Sequence, residues 1–201
     1  MSRSEPTDPW PSGPSFGDPS SGGPDWFDVD GPDQEQPDPG PGRAEQASRA
    51  RRLVADALSR TERTRGQLEQ LLARKEIESE VAEEILDRFT ELGLIDDAQY
   101  ARMFVESRHI NRGLGAQALA FQLRQRGVDG ELVAAALGQL DSEQQFETAC
   151  RLAESRLARM SGLDAQVAQR RLAGFLARKG YSGDIALRAV RFAFDNRSSD
   201  V

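Results

Sequence analysis

Three stretches of this chain superpose on one another without a gap: LEQLLARKEIESEVAEEILDRF from Leu68, LAFQLRQRGVDGELVAAALGQL from Leu119, and LAGFLARKGYSGDIALRAVRFA from Leu172. Leu68, Leu119 and Leu172 correspond, then Leu72, Leu123 and Leu176, then Ile77, Val128 and Tyr181. The register holds through Val81, Leu132 and Ile185 and reaches Leu86, Leu137 and Val190. Self-similarity at a fixed spacing is the mark of a repeat architecture. The apolar positions recur at three and four, so each copy reads as a helix, a tight turn and a second helix. Gly127 and Gly180 hold the turn, where a left-handed residue commonly ends a helix. The first copy has Glu76 there instead, which leaves the geometry of that turn open.

A further helix precedes each pair, over Gln46–Arg60, Asp97–Asn111 and Glu143–Met160. Thr64 with Gln67, and Ser142 with Gln145, have capping-box spacing. Between the first two copies lies LGLIDDAQYARMFVESR (Leu92–Arg108). There a helix ends at Gly93 and the next starts at the Asp96-Asp97 pair. Asp96 followed by Gln99 suits a box with Asp as cap, and carboxylates at a helix start complement the macrodipole. With no other ligand type nearby, the pair reads as a cap plus a solvated neighbour, not as metal or acid chemistry.

The expected fold is therefore all-α, with three tandem three-helix repeats over 43–95, 96–141 and 142–197 and a short tail over 198–201. No strand is expected. A module this small buries too little apolar surface alone, so the repeats should stack into an elongated, curved body. An odd number of similar modules with capped ends favours a monomer.

Residues 1–42 differ sharply. They hold all ten prolines, seven glycines, and nine Asp or Glu against a single Arg. Proline removes amide donors, and the low apolar content cannot offset the entropy of ordering, so an acidic disordered tail is expected. Both tryptophans, Trp10 and Trp26, lie in it, and Asp25-Trp26-Phe27-Asp28 reads first as a chance apolar spot in a tail and only second as a short docking motif. MSRSEPTDPW lacks the apolar core of a secretory signal, and no apolar run approaches the roughly 18 residues that span a bilayer. A lone cysteine, Cys150, permits no internal disulfide, and a cytoplasmic location is expected.

Catalysis is not expected. His109 is the one histidine, set near the end of its helix where a partly exposed residue suits the dipole. No Cys/His cluster for zinc and no phosphate-binding Gly-Lys-Ser/Thr loop occurs, so neither metal nor cofactor is implied. Charge placement says more. Residues 151–197 carry ten Lys or Arg against four Asp or Glu. Arg170-Arg171 and Arg178-Lys179 share one helix. Arg74-Lys75 takes the equivalent place in the first module, with Arg124 and Arg126 close to it in the second. Lys75, Arg126 and Lys179 also suit a helix C-terminus. Arg151, Arg156, Arg159, Arg170, Arg171, Arg188 and Arg191 in one module point instead to a surface for phosphate or an acidic partner. That module has few spare aromatics for base stacking.

GLIDDAQYARMFVESR (Gly93–Arg108), RGLGAQALAFQLRQRGV (Arg112–Val128) and QRRLAGFLARKGYSGDIALRAV (Gln169–Val190) together resemble the RecX family, bacterial regulators of the RecA recombinase. The likeness covers roughly 46–195 and leaves out the acidic tail. It implies three tandem three-helix repeats, in agreement with the periodicity. It also implies binding in the groove of the RecA–single-stranded DNA filament, where recombinase, ATPase and coprotease activities are limited. The partners expected are the RecA filament and single-stranded DNA, with no membrane. Candidate contacts are Arg74, Lys75, Arg112, Arg124, Arg126, Arg156, Arg170, Arg171, Arg178, Lys179 and Arg188. The competing reading is a stand-alone helix-turn-helix protein of duplex grooves, which requires a polar recognition cluster free of packing duty.

Overall fold

The computed structural model describes residues 41–160 and 162–199. The expectations for residues 1–40, including the acidic tail and the Trp26 motif, lie outside the described residues, as does the end of the 198–201 tail. Among the described residues there are nine helices and no strand. They are α1 (Pro41–Arg60), α2 (Arg65–Arg74), α3 (Ser79–Glu91), α4 (Asp97–Arg112), α5 (Ala116–Arg124), α6 (Gly130–Gly138), α7 (Ser142–Leu157), α8 (Ala165–Arg178) and α9 (Gly183–Ser199). The helix expected from Gln46 starts at Pro41, a residue whose fixed φ suits the first helical position.

Each set of three helices encloses a separate core. Val54, Leu68, Leu72, Val81 and Leu86 fill the first, where the link residue Ile95 joins them. Phe104, Val105, Leu119, Leu123 and Val133 fill the second. The third is built from Leu157, Leu172, Leu176, Tyr181 and Val190, with Ala149 and Ala153 facing Ala186, Ala189 and Ala193. Small side chains at these positions let α7 and α9 approach closely along their length. The residues aligned as equivalent in sequence, Ile77, Val128 and Tyr181, are all buried at the same point after the turn.

Several helix starts differ from the sequence reading. Thr64 forms the full box with Gln67. Asp96 accepts from the Gln99 amide at 2.8 Å, but the Gln99 side chain turns to the Met103 sulfur instead of returning to the cap. For α7 the cap is Asp141, one residue before the expected Ser142, and it accepts from the Glu143 amide at 3.2 Å. Asp97 is not a solvated neighbour. It is half-buried and accepts the Arg65 amide at 2.8 Å across the boundary between repeats.

The turn left open by Glu76 has the same backbone as its counterparts. Glu76 takes φ +58°, beside +76° at Gly127 and +90° at Gly180.

Candidate functional site

Consecutive repeats meet through the same two segments. The start of the second helix in one repeat lies on the turn between the second and third helices of the next. In the first joint the Thr64 hydroxyl donates to the Arg126 carbonyl, and the backbones of Gly66 and Gly127 are in contact. A Cβ on Gly127 would stand 2.8 Å from the Gly66 Cα. In the second joint the Gly115 amide donates to the Lys179 carbonyl at 2.9 Å and the Gln117 amide to the Gly180 carbonyl at 3.0 Å. The Tyr181 hydroxyl donates to the Gly113 carbonyl at 3.1 Å, and Lys179 Nζ to the Arg112 carbonyl at 2.8 Å. Residues 126 and 179, equivalent in the alignment, thus offer the same carbonyl to equivalent partners at 64 and 115.

The second joint also holds the histidine. His109 is buried, not partly exposed, because α7 closes over it. Its Nδ1 lies 2.9 Å from the Leu114 carbonyl, an acceptor only, so Nδ1 carries the proton. Its Nε2 faces the Thr148 hydroxyl at 3.2 Å, which in turn accepts from the Arg151 guanidinium at 3.1 Å. A ring held this way ties α4 to α7. Burial pushes the Tyr181 phenol up to about 12, partly opposed by Arg151. Burial likewise raises the Cys150 thiol to about 11, with Glu154 adding to the effect. The thiol is a packed side chain of the third core.

The expected contact residues separate into two groups. Arg126 and Lys179 belong to the joints. The Arg126 guanidinium donates to the Gln122 carbonyl at 2.7 Å and lies 4.6 Å over the Phe104 ring. Lys179 also stands 5.9 Å from the centre of the Phe175 ring, and Arg156 stands 5.5 Å from the same ring. Arg188 pairs with Asp184 at 3.7 Å and covers the Phe146 ring at 4.4 Å. The other group is exposed. Arg74, Lys75, Arg112, Arg124, Arg170, Arg171 and Arg178 all face solvent and form no ion pair among the described residues. Arg171 and Arg178 lie seven residues apart on one side of α8, with Arg170 beside them and Gly174 between. The Arg178 guanidinium folds back over that glycine, which has no side chain to obstruct it. Sequence periodicity did not single out Phe121, which stands 61% exposed on the outer side of α5.

The concave features lie at the repeat boundaries. A cleft of about 500 Å³ between the first two repeats is lined by Leu58, Phe89, Leu94 and Tyr100. A second, of about 300 Å³, opens beside His109 and Ile110. Among the described residues no group of three His, Cys, Asp or Glu side chains is placed to hold a metal ion.

The three repeats coincide with three known domains. Residues 50–89 match the first RecX three-helix domain, 96–137 the second and 143–190 the third. The chain belongs to the RecX family. It is 49% identical over 151 residues to the regulatory protein RecX of Streptomyces coelicolor, covering 75% of this chain and 80% of that protein. The RecX of Thermobifida fusca is 49% identical over 144 residues, covering 72% and 78%. That of Mycolicibacterium smegmatis is 39% identical over 172 residues, covering 83% and 89%. The crystal structure of RecX from Lactobacillus salivarius superposes with a TM-score of 0.69 at 26% identity. It covers 74% of this chain and 96% of that one. No helix among the described residues of this RecX protein is long and apolar enough to cross a membrane.

Proposed function

We propose that this RecX protein binds along the filament formed by the RecA recombinase on single-stranded DNA and limits its recombinase, ATPase and coprotease activities. Its place is then in cytoplasmic DNA repair, recombination and the SOS response. The observation that carries this reading is the match of all three repeats, in order, to the three RecX domains. The tandem build supports it, because repeats joined through equivalent contacts present recurring surfaces suited to a polymer. So does the exposed set of Arg170, Arg171 and Arg178, which provides attraction for phosphate without an internal counter-ion.

ATP hydrolysis by RecA on single-stranded DNA, measured with and without this protein, tests the reading. Inhibition is expected, and unchanged hydrolysis overturns it. Charge reversal at Arg170, Arg171 and Arg178 together should weaken filament binding and flatten its dependence on salt, because fewer counter-ions are then released. Inhibition equal to wild type at both low and moderate salt would remove these arginines from the interface. A duplex binding control separates filament binding from groove reading by a helix-turn-helix.

A further inference from the structure

In the second and third repeats, though not in the first, where α2 carries Glu69, charge is not spread evenly over the three kinds of helix. The first and third helices of the second and third repeats all carry carboxylates, among them Glu106 on α4, Glu131 on α6, Glu147 and Glu154 on α7 and Asp184 on α9. The second helices α5 and α8 carry none, while Arg124, Arg170, Arg171 and Arg178 project from them into solvent. On α5 this acid-free surface surrounds a large exposed ring. Phe121 makes no ring or cation contact among the described residues, and its equivalents in the other repeats are Gln70 and Gly174.

The neighbours of Phe121 on the helix surface are those three and four positions away. They are Gln117, Ala118, Arg124 and Gln125, so no large aliphatic or aromatic side chain adjoins the ring on its own helix. A protein-docking hot spot is a well-packed pocket ringed by contacts that exclude water. A ring flanked on its helix by a guanidinium and two amides is a different object. It offers a flat apolar face to a base, a cation to the neighbouring phosphate, and amides that can bond base edges. Aromatic platforms within a basic track are how single strands are held without sequence preference.

We propose that Phe121 is a stacking platform for a base of single-stranded DNA, with Arg124 holding an adjacent phosphate. This rests on the function proposed above and adds to it a direct protein–base contact made by the middle repeat. Phe121 then supplies the non-ionic part of DNA affinity, and the arginines of α5 and α8 supply the salt-dependent part.

The test uses the full chain and a fluorescent oligothymidylate, without RecA, followed by anisotropy at several salt concentrations. Phe121→Ala should weaken binding by about tenfold, with the slope against salt unchanged because no charge is removed. Phe121→Tyr should restore it. An abasic deoxyribose-phosphate strand should bind Phe121→Ala and wild type equally. The proposal is overturned if Phe121→Ala binds oligothymidylate as wild type does, if it loses the same factor on the abasic strand, or if wild type does not bind the bare strand. RecA ATPase inhibition by the same proteins separates the two readings. Normal bare-strand binding by Phe121→Ala with abolished inhibition would make the ring a RecA-binding residue, overturning stacking and keeping the filament function. No inhibition by wild type would overturn the filament function whatever the oligonucleotide shows. Circular dichroism of Phe121→Ala should match wild type, since the side chain lies outside the core.

Discussion

Gly115 and Gly180 meet backbone to backbone: a Cβ on Gly115 would lie 2.5 Å from the Gly180 carbonyl oxygen, and one on Gly180 would lie 2.3 Å from the Ala118 amide nitrogen. Gly180 also has φ +90°, so two independent constraints select glycine there. Among the described residues no repeat packs against the same turn in the first repeat, and Glu76 stands exposed at φ +58°. The left-handed backbone is intrinsic to the turn, whereas the requirement for a bare Cα comes from the neighbour.

Gly180→Ala should therefore destabilise the chain by about 2 kcal/mol or more, combining the strain of a left-handed backbone with the clash on α5. Glu76→Gly should change stability by less than about 1 kcal/mol, because relief of roughly that strain is offset by the added freedom of the unfolded chain. Urea denaturation of both variants checks the contrast. Equal effects would mean that the joint does not constrain the turn.

Asp97 carries a different joint. Its carboxyl is raised above the usual range, chiefly by desolvation, with the Arg65 amide and guanidinium opposing. Asp97→Ala leaves the Arg65 amide without its acceptor and should cost about 1 kcal/mol or more. Asp97→Asn keeps a carbonyl oxygen for that amide while removing a desolvated charge, so its effect should be clearly smaller. Thermal melts of the pair at neutral pH decide it, and a larger drop for Asn would show that the charge itself holds the repeats together.

Much of this organisation is legible in the sequence because its causes are local. Helical period and the glycine turns follow from nearest-neighbour sterics, so the triplication, the cores around Leu68, Leu119 and Leu172, and the Thr64 box could be read directly. The joints could not. His109 is buried by α7, whose contact residue Thr148 lies 39 positions away. Arg126 and Lys179 are drawn into the joints by carbonyls and rings that no spacing rule reveals. Gln145, expected to complete a capping box, instead lies 3.4 Å from the Ala116 amide of the preceding repeat. Phe121 escaped notice for the opposite reason, since an outward aromatic leaves no periodic signal.

Alkaline pH should loosen the third repeat. The Cys150 thiol at about 11 and the Tyr181 phenol at about 12 both hold their protons more tightly folded than unfolded. Between the ordinary values of these groups and the raised ones, the native state binds more protons, so stability falls as pH rises. The contribution is complete below about pH 8.5, the free thiol's value, and declines through the alkaline range. Tyr181→Phe should flatten this decline, while costing about 1 kcal/mol at neutral pH because the Gly113 carbonyl is left without its donor. Native Cys150 should react with a thiol reagent at neutral pH far more slowly than the urea-unfolded chain. Melting temperature against pH for wild type and Tyr181→Phe, beside the labelling rate, provides the check.

The basic residues should divide by assay according to what they touch. Arg126→Ala removes a bond to the Gln122 carbonyl and a guanidinium stacked over the buried Phe104 ring. A drop of about 1–2 kcal/mol in stability is expected from the hydrogen bond and the cation–ring interaction together. Lys179→Ala should behave similarly, since its ammonium caps the last carbonyl of α4, that of Arg112. Arg170→Ala and Arg171→Ala touch no described partner and should stay within about 0.5 kcal/mol of wild type. In the salt-dependent filament binding proposed above, the order should reverse. There Arg170→Ala and Arg171→Ala should each lower the slope by about one for every phosphate left without its cation. Denaturation and binding titrations on the same four variants give the result directly. Should Arg170→Ala melt like Arg126→Ala, or Arg126→Ala alone lower the salt slope, the division between joint and binding surface would be wrong.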